Sequence, residues 1–276
     1  MPAVLSSTDE AVVRRAMDVA ETALDGLRAG LVAATGAGEV AAKFDGTPVT
    51  AADLEADERL SAALQQAFPA HGILSEERHT RAPATAWTWV LDPIDGTSNF
   101  TCGLPYWCVS VALLLDGRPV LGLIDAPMLH RRYRAVAGQG AWLGSRRLAV
   151  RPTVDWRDGR NGHVPVMLTT ATARRARAAG LRLNPRVMGS TALDLAVVAE
   201  GVAATSIAIR PKVWDVAAGS LLVEEAGGHI VSIGGDPLLP LQREQDYVTT
   251  STPTAAGGDA AAVRELAEAL LPSPGG

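Results

Sequence analysis

Residues 89–100 read WVLDPIDGTSNF. The apolar start reads as the end of a buried strand, yet two carboxylates, Asp92 and Asp95, follow at once. Carboxylates are costly to remove from water unless they are paired, hydrogen-bonded or bound to a metal. Pro93 fixes φ and cannot continue a ladder, so the chain turns between the two acids and they can converge on one point. Gly96 and Thr97 then bring backbone N–H groups and a hydroxyl to the same place, which suits an anion such as phosphate if a helix begins there. Hard oxygen ligands beside an anion cradle are what magnesium-assisted phosphoryl transfer requires.

Further acids stand in comparable settings. Glu76 and Glu77 follow the strand-like ILS, Asp53 lies in the first turn of a helix that Thr50 can cap, and Asp215 follows Trp214 at a helix start. Taken singly, each has an ordinary explanation. Asp53 and Asp215 would complement a helix dipole, Glu76 and Glu77 would be solvated loop charges, and Asp92 and Asp95 would serve an Asx turn. It is the full set, in this order, that points to chemistry.

The rest of the chain narrows the class. Its 276 residues are 47% apolar and 20% charged, a composition that excludes disorder and allows one large core or two modest ones. A net charge of −5, with only RRYR (131–134) and RRAR (174–177) as dense basic spots, disfavours nucleic acid as a partner. Cys102 and Cys108 cannot staple a fold of this size and are not spaced as zinc ligands, so a reducing cytoplasm is expected. The first residues carry no export-signal pattern, and apolar runs such as VSVALLL (109–115) are too short to span a bilayer.

Periodicity predicts a first amphipathic helix over 7–30, with Ser7 and Glu10 in capping-box spacing, and a second after Thr50 with Leu54, Leu60, Leu64 and Phe68 inward. Two apolar stretches within 107–125, joined by Asp116-Gly117, read as a hairpin, and strand-like pieces over 133–150 extend it into an antiparallel sheet. The polar stretch 151–162 reads as a boundary. It divides an α+β half (1–150) carrying most candidate ligands from an α/β half (151–276) carrying Asp215 and the substrate-facing segments. In the second half VPVMLTT and HIVSI read as strands. Residues 192–201, 214–228 and the DAAAVRELAEALL segment read as helices.

Taken together, DPIDGTSNF with its preceding tryptophan and WDVAAGSLLVEEAGG (214–228) resemble the two signatures of the inositol monophosphatase family. PVTAAD (48–53), SEE (75–77), GQGAWLG (138–144) and GSTALDLAVVAEG (189–201) appear in that family's order. The resemblance implies an α/β (α+β) fold, a layered αβαβα sandwich of the inositol monophosphatase and fructose-1,6-bisphosphatase type. It implies a magnesium-dependent, lithium-sensitive phosphomonoesterase, commonly a homodimer, acting on a small polyol or sugar phosphate. The implied ligands of two or three Mg2+ ions are Glu76, Asp92, the carbonyl of Ile94, Asp95 and Asp215. Asp53, Glu76 and Thr97 would activate the attacking water, and Gly96 and Thr97 would hold the phosphate.

Members acting on inositol phosphate usually carry a glutamate seven residues before the aspartate of the second signature; here that position is Ala208. Its absence argues for another leaving group or broad selectivity, with fructose 1,6-bisphosphate, histidinol phosphate and 3′-phosphoadenosine 5′-phosphate as alternatives. Ser190 and Thr191 are candidate substrate contacts, though helix capping explains them as well. Lys43 is expected as a solvated loop residue, Cys102 as a packed one, and the five histidines as structural or exposed. A haloacid-dehalogenase-like mechanism would need its two aspartates two residues apart, whereas Asp92 and Asp95 are three apart. A silent metal-binding scaffold is the reading from another class.

Overall fold

The computed structural model describes residues 5–37, 41–42, 48–152 and 163–270. In chain order its first half contains α1 (Ser7–Ala34), β1 (Ala41–Ala42), β2 (Pro48–Val49), α2 (Ala51–Ala67), β3 (Gly72–Ser75), β4 (Trp87–Asp95), α3 (Thr97–Thr101), β5 (Cys108–Leu115), β6 (Arg118–Ala126), β7 (Arg131–Val136), β8 (Gly140–Leu143) and β9 (Arg146–Arg147). The second contains β10 (Pro165–Leu168), α4 (Thr170–Ala178), β11 (Asn184–Arg186), α5 (Thr191–Ala199), β12 (Thr205–Ala208), α6 (Val213–Glu225), β13 (His229–Ser232), β14 (Thr254–Gly257) and α7 (Ala260–Leu270). Lys43 and most of the expected boundary lie outside the described residues.

Helix α1 corrects the expected start and end. Its capping box is Ser6 with Asp9, not Ser7 with Glu10: Asp9 N–H donates to Ser6 Oγ at 3.2 Å and Ser6 N–H to Asp9 Oδ2 at 3.1 Å. It also runs past Gly30, because Leu31 extends the buried stripe of Val13, Ala16, Ala20, Leu24 and Leu27. In α2 Thr50 is the N-cap as expected and forms a capping box with Asp53, but Leu54, expected inward, is 47% exposed. The buried face falls on Asp53, Ala56, Asp57, Leu60 and Leu64, and Leu54 lies off that stripe.

Both helices pack on a seven-stranded sheet ordered β3 to β9, antiparallel except that β3 runs parallel to β4. The β5–β6 hairpin turns at Asp116 and Gly117, both with positive φ (47° and 77°). A Cβ on Gly117 would come within 2.5 Å of the Leu241 carbonyl oxygen, so glycine there admits a second segment as well as the turn.

Helices α5 and α6 cover the other face of this sheet and support the five-stranded sheet β11-β10-β12-β14-β13, whose far side carries α4 and α7. Helix α6 is apolar all round, with Val216, Ala217, Ala218, Leu221, Leu222 and Val223 buried, as a helix held between two sheets must be. It sits close to β6: a Cβ on Gly122 would meet the Ala218 carbonyl at 2.8 Å. The layers therefore alternate αβαβα, and the larger apolar cluster draws side chains from both halves, from Val13 to Ala256.

Candidate active site

Strand β4 is buried along nearly its whole length, and its register against β5 shifts between Asp92 and Asp95. In a regular strand residues three apart point to opposite faces; the irregularity at Pro93 and Ile94 lets both carboxylates serve one point. The Ile94 N–H donates to Asp92 Oδ1 at 3.1 Å and fixes that turn. Asp215, at the start of α6, completes a trio: Asp92, Asp95 and Asp215 each offer an oxygen within 4.8 Å of the others. Glu76 lines the same cavity, as do Ile94, Gly96, Thr97, Ser98 and Gly189, with Arg210, Lys212 and Val248 beside them.

Gly96 turns the chain from β4 into α3 with φ 99°. A Cβ there would press on the Tyr106 and Gly189 carbonyls at 3.2 and 3.3 Å, so the position needs glycine for space and for conformation. Behind this turn stands Asp53. Its Oδ2 accepts from Thr50 N–H (2.8 Å) and Oγ1 (2.5 Å), which leaves Oδ1 facing the Thr97 hydroxyl at 3.4 Å. Thr97 Oγ1 also lies 3.1 Å from the Ile94 carbonyl oxygen, to which it can donate.

Ser190 takes a different place from the one expected of a substrate contact. It is only 2% exposed, caps α5 by accepting from Leu193 N–H, and donates its hydroxyl to Asp95 Oδ2 at 2.6 Å, where Ala192 N–H also donates at 2.6 Å. Thr191, the first residue of α5, is half-buried and is not among the cavity-lining residues. Four further contacts have no clear mark in the sequence. Asn99 Nδ2 donates to the carbonyls of Tyr106 (2.6 Å) and Met188 (2.7 Å), Tyr106 donates to Asp194 Oδ1 (2.9 Å), and Lys212 N–H donates to Asp215 Oδ2 (2.8 Å). Among the donors only Asn99 carried a signal, through its place inside DGTSNF.

The electrostatics ask for a cation. Burial raises Asp95 to about 6, against the opposing hydrogen bonds from Ser190 and Ala192, and the charge of Glu76 adds to the rise. Asp215 is pushed well above the usual carboxylate range by burial and then by the charges of Asp95 and Glu76. Clustered oxygen donors that resist ionisation fit a hard divalent ion, which both neutralises them and accepts their geometry. Cys108, buried beside Ser190, has its thiol raised by burial and then by the charges of Asp95 and Asp92, which leaves it unreactive; Cys102 is exposed, not packed as expected. No histidine lines the cavity among the described residues.

The chain that sets this trio on a β4 turn and the head of α6 matches one family along nearly its whole length. The model of the inositol monophosphatase family covers residues 2–268. The chain belongs to the inositol monophosphatase family. The Nus factor SuhB of Xylella fastidiosa is 40% identical over 184 residues, a match covering 62% of this chain and 64% of that one. The histidinol-phosphatase of Mycobacterium tuberculosis is 37% identical over 203 residues, 70% of this chain and 77% of that one. The Thermotoga maritima IMPase superposes with a TM-score of 0.78 at 25% identity, covering 93% of this chain and 96% of its own. The inositol monophosphatase family is metal-dependent, and the carboxylate cluster it requires is present.

Proposed function

We propose that the chain is a magnesium-dependent phosphomonoesterase that hydrolyses a small polyol or sugar phosphate in the cytoplasm, working as a homodimer. The observation that carries this reading is the convergence of Asp92, Asp95 and Asp215 beside Gly96 and Thr97. The cavity, about 260 Å³, is smaller than the ~300–1,000 Å³ of drug-sized ligand sites, which favours a small ester. Two free cysteines support a reducing compartment, and among the described residues no helix is long and apolar enough to cross a membrane.

Glu76, Asp92, the Ile94 carbonyl, Asp95 and Asp215 would hold two or three Mg2+ ions. When bound, such ions polarise the phosphoryl oxygens and lower the pKa of the attacking water. Gly96 and Thr97 receive the phosphate at the start of α3. Asp53, pinned through Oδ2 by Thr50, takes a proton at Oδ1 from the Thr97 hydroxyl, which in turn accepts one from the water; Glu76 assists from the cavity wall. Positioning and charge neutralisation, rather than a covalent phosphoenzyme, supply the rate. Lithium is expected to inhibit.

A second reading is a catalytically silent metal-binding scaffold; three relatives are named Nus factor, which is not the name of an enzyme. Phosphate release from inositol 1-phosphate, fructose 1,6-bisphosphate, histidinol phosphate and phosphoadenosine phosphate, with and without Mg2+ and Li+, separates the two. Mg2+-dependent, Li+-sensitive release is expected. No release from any ester by folded, metal-loaded protein would overturn the enzyme reading in favour of the scaffold.

A further inference from the structure

The cavity is lined by groups of opposite charge: Glu76, Asp92, Asp95 and Asp215 on the one hand, Arg210 and Lys212 on the other. Lys212 is engaged: its backbone N–H donates to Asp215 and its Nζ to the Val248 carbonyl. Arg210 is exposed, and among the described residues it forms no ion pair and no hydrogen bond. It lies in the bend between β12 and α6, and the following Pro211 disfavours helical backbone at Arg210.

The neighbouring geometry shows why this arginine matters. Ala208, where a polyol-binding glutamate is expected, is the last residue of β12; it lies opposite Thr254 in the sheet and is 4% exposed. The cavity-lining side chain on this stretch is Arg210 instead. A carboxylate accepts hydrogen bonds from sugar hydroxyls, whereas a guanidinium has only donors, arranged in a fork that matches carboxylate or phosphate oxygens. The scissile phosphate is assigned to the carboxylate trio and Gly96–Thr97, which leaves Arg210 to the leaving group.

We infer that Arg210 is a specificity-determining residue that binds a second anionic group, carboxylate or phosphate, on the leaving group of the ester. This assignment rests on the phosphatase reading above. The test compares kcat/KM for glycerol 3-phosphate, 3-phosphoglycerate and fructose 1,6-bisphosphate in wild type, Arg210→Ala and Arg210→Lys. Calorimetric binding of 3-phosphonopropionate and of ethylphosphonate to the Ca2+-loaded proteins gives a readout apart from turnover. Losing a charge-assisted contact is expected to lower the ratio of anionic to neutral ester by about 10- to 100-fold in Arg210→Ala, with partial recovery in Arg210→Lys. The preference for 3-phosphonopropionate over ethylphosphonate is expected to fall in parallel. Whether the carboxylate or the bisphosphate ester loses more identifies the second anion. A ratio unchanged in Arg210→Ala, or an equal loss on all three esters, would overturn the assignment while leaving the phosphatase reading intact. Absence of hydrolysis with every ester, together with absence of phosphonate binding, would overturn both.

Discussion

Ser190 and Asp95 meet at 2.6 Å, and through that bond the cap of α5 in the second half holds a carboxylate of the first. The bond favours the ionised form of Asp95, the form that a metal ion would require. Partners that orient a ligand commonly matter by one to two orders of magnitude. Ser190→Ala is therefore expected to weaken Mg2+ binding by about 10-fold or more with the fold retained. A calorimetric titration giving the wild-type affinity would show that Ala192 N–H suffices to hold Asp95.

Asp92→Asn should separate catalysis from stability. Turnover is expected to fall by about 1,000-fold or more, because a central ligand loses its charge. In metal-free protein the same change removes one of three clustered carboxylates, so the thermal midpoint should equal or exceed that of wild type. Wild-type phosphate release by this variant would sink the ligand assignment.

Asn99 joins the turn after β4 to the segment before α5, through the carbonyls of Tyr106 and Met188. Asn99→Ala leaves both carbonyls without that donor, at an expected cost of about 1–3 kcal/mol, readable in urea unfolding of the metal-free chain. A loss below about 0.5 kcal/mol would mean that water replaces the amide.

The raised Asp95 predicts a pH dependence of definite sign. Its ordinary value of 3.8 becomes about 6 in the folded chain. The folded state therefore keeps a proton that the unfolded chain has released, and metal-free stability should decline as pH rises from about 4 to about 6. Metal binding requires the ionised carboxylates, so apparent Mg2+ affinity should rise across the upper part of that window and go on rising as Asp215, raised as well, ionises. Titrations at pH 5.5, 6.5 and 7.5 that give one affinity would contradict this.

Much of this architecture was legible in the chain because it rests on local rules. The stripe from Val13 to Leu27, the Thr50–Asp53 box and the Asp116-Gly117 turn each follow from spacing and residue type. Asp92, Asp95 and Asp215 stood out because acids beside apolar runs demand an explanation. What stayed hidden depends on long-range placement. No periodicity says that Ser190 reaches Asp95, that Tyr106 reaches Asp194, or that Arg210 rather than Ala208 lines the cavity. The Ser6 start of α1 was missed for a nearer reason: adjacent serines offer two capping registers, and only backbone geometry selects between them.

Asp92 and Asp95 are synthesised early, and Asp215 only after about half of the second half has been made. A nascent chain that has completed its seven-stranded sheet still lacks one member of the trio, and it also lacks the serine that orients another. Capture of an ion by this trio would thus wait until α5 and α6 have docked, and such an ion would be a late fastener whose binding reports that the two sheets have closed around them.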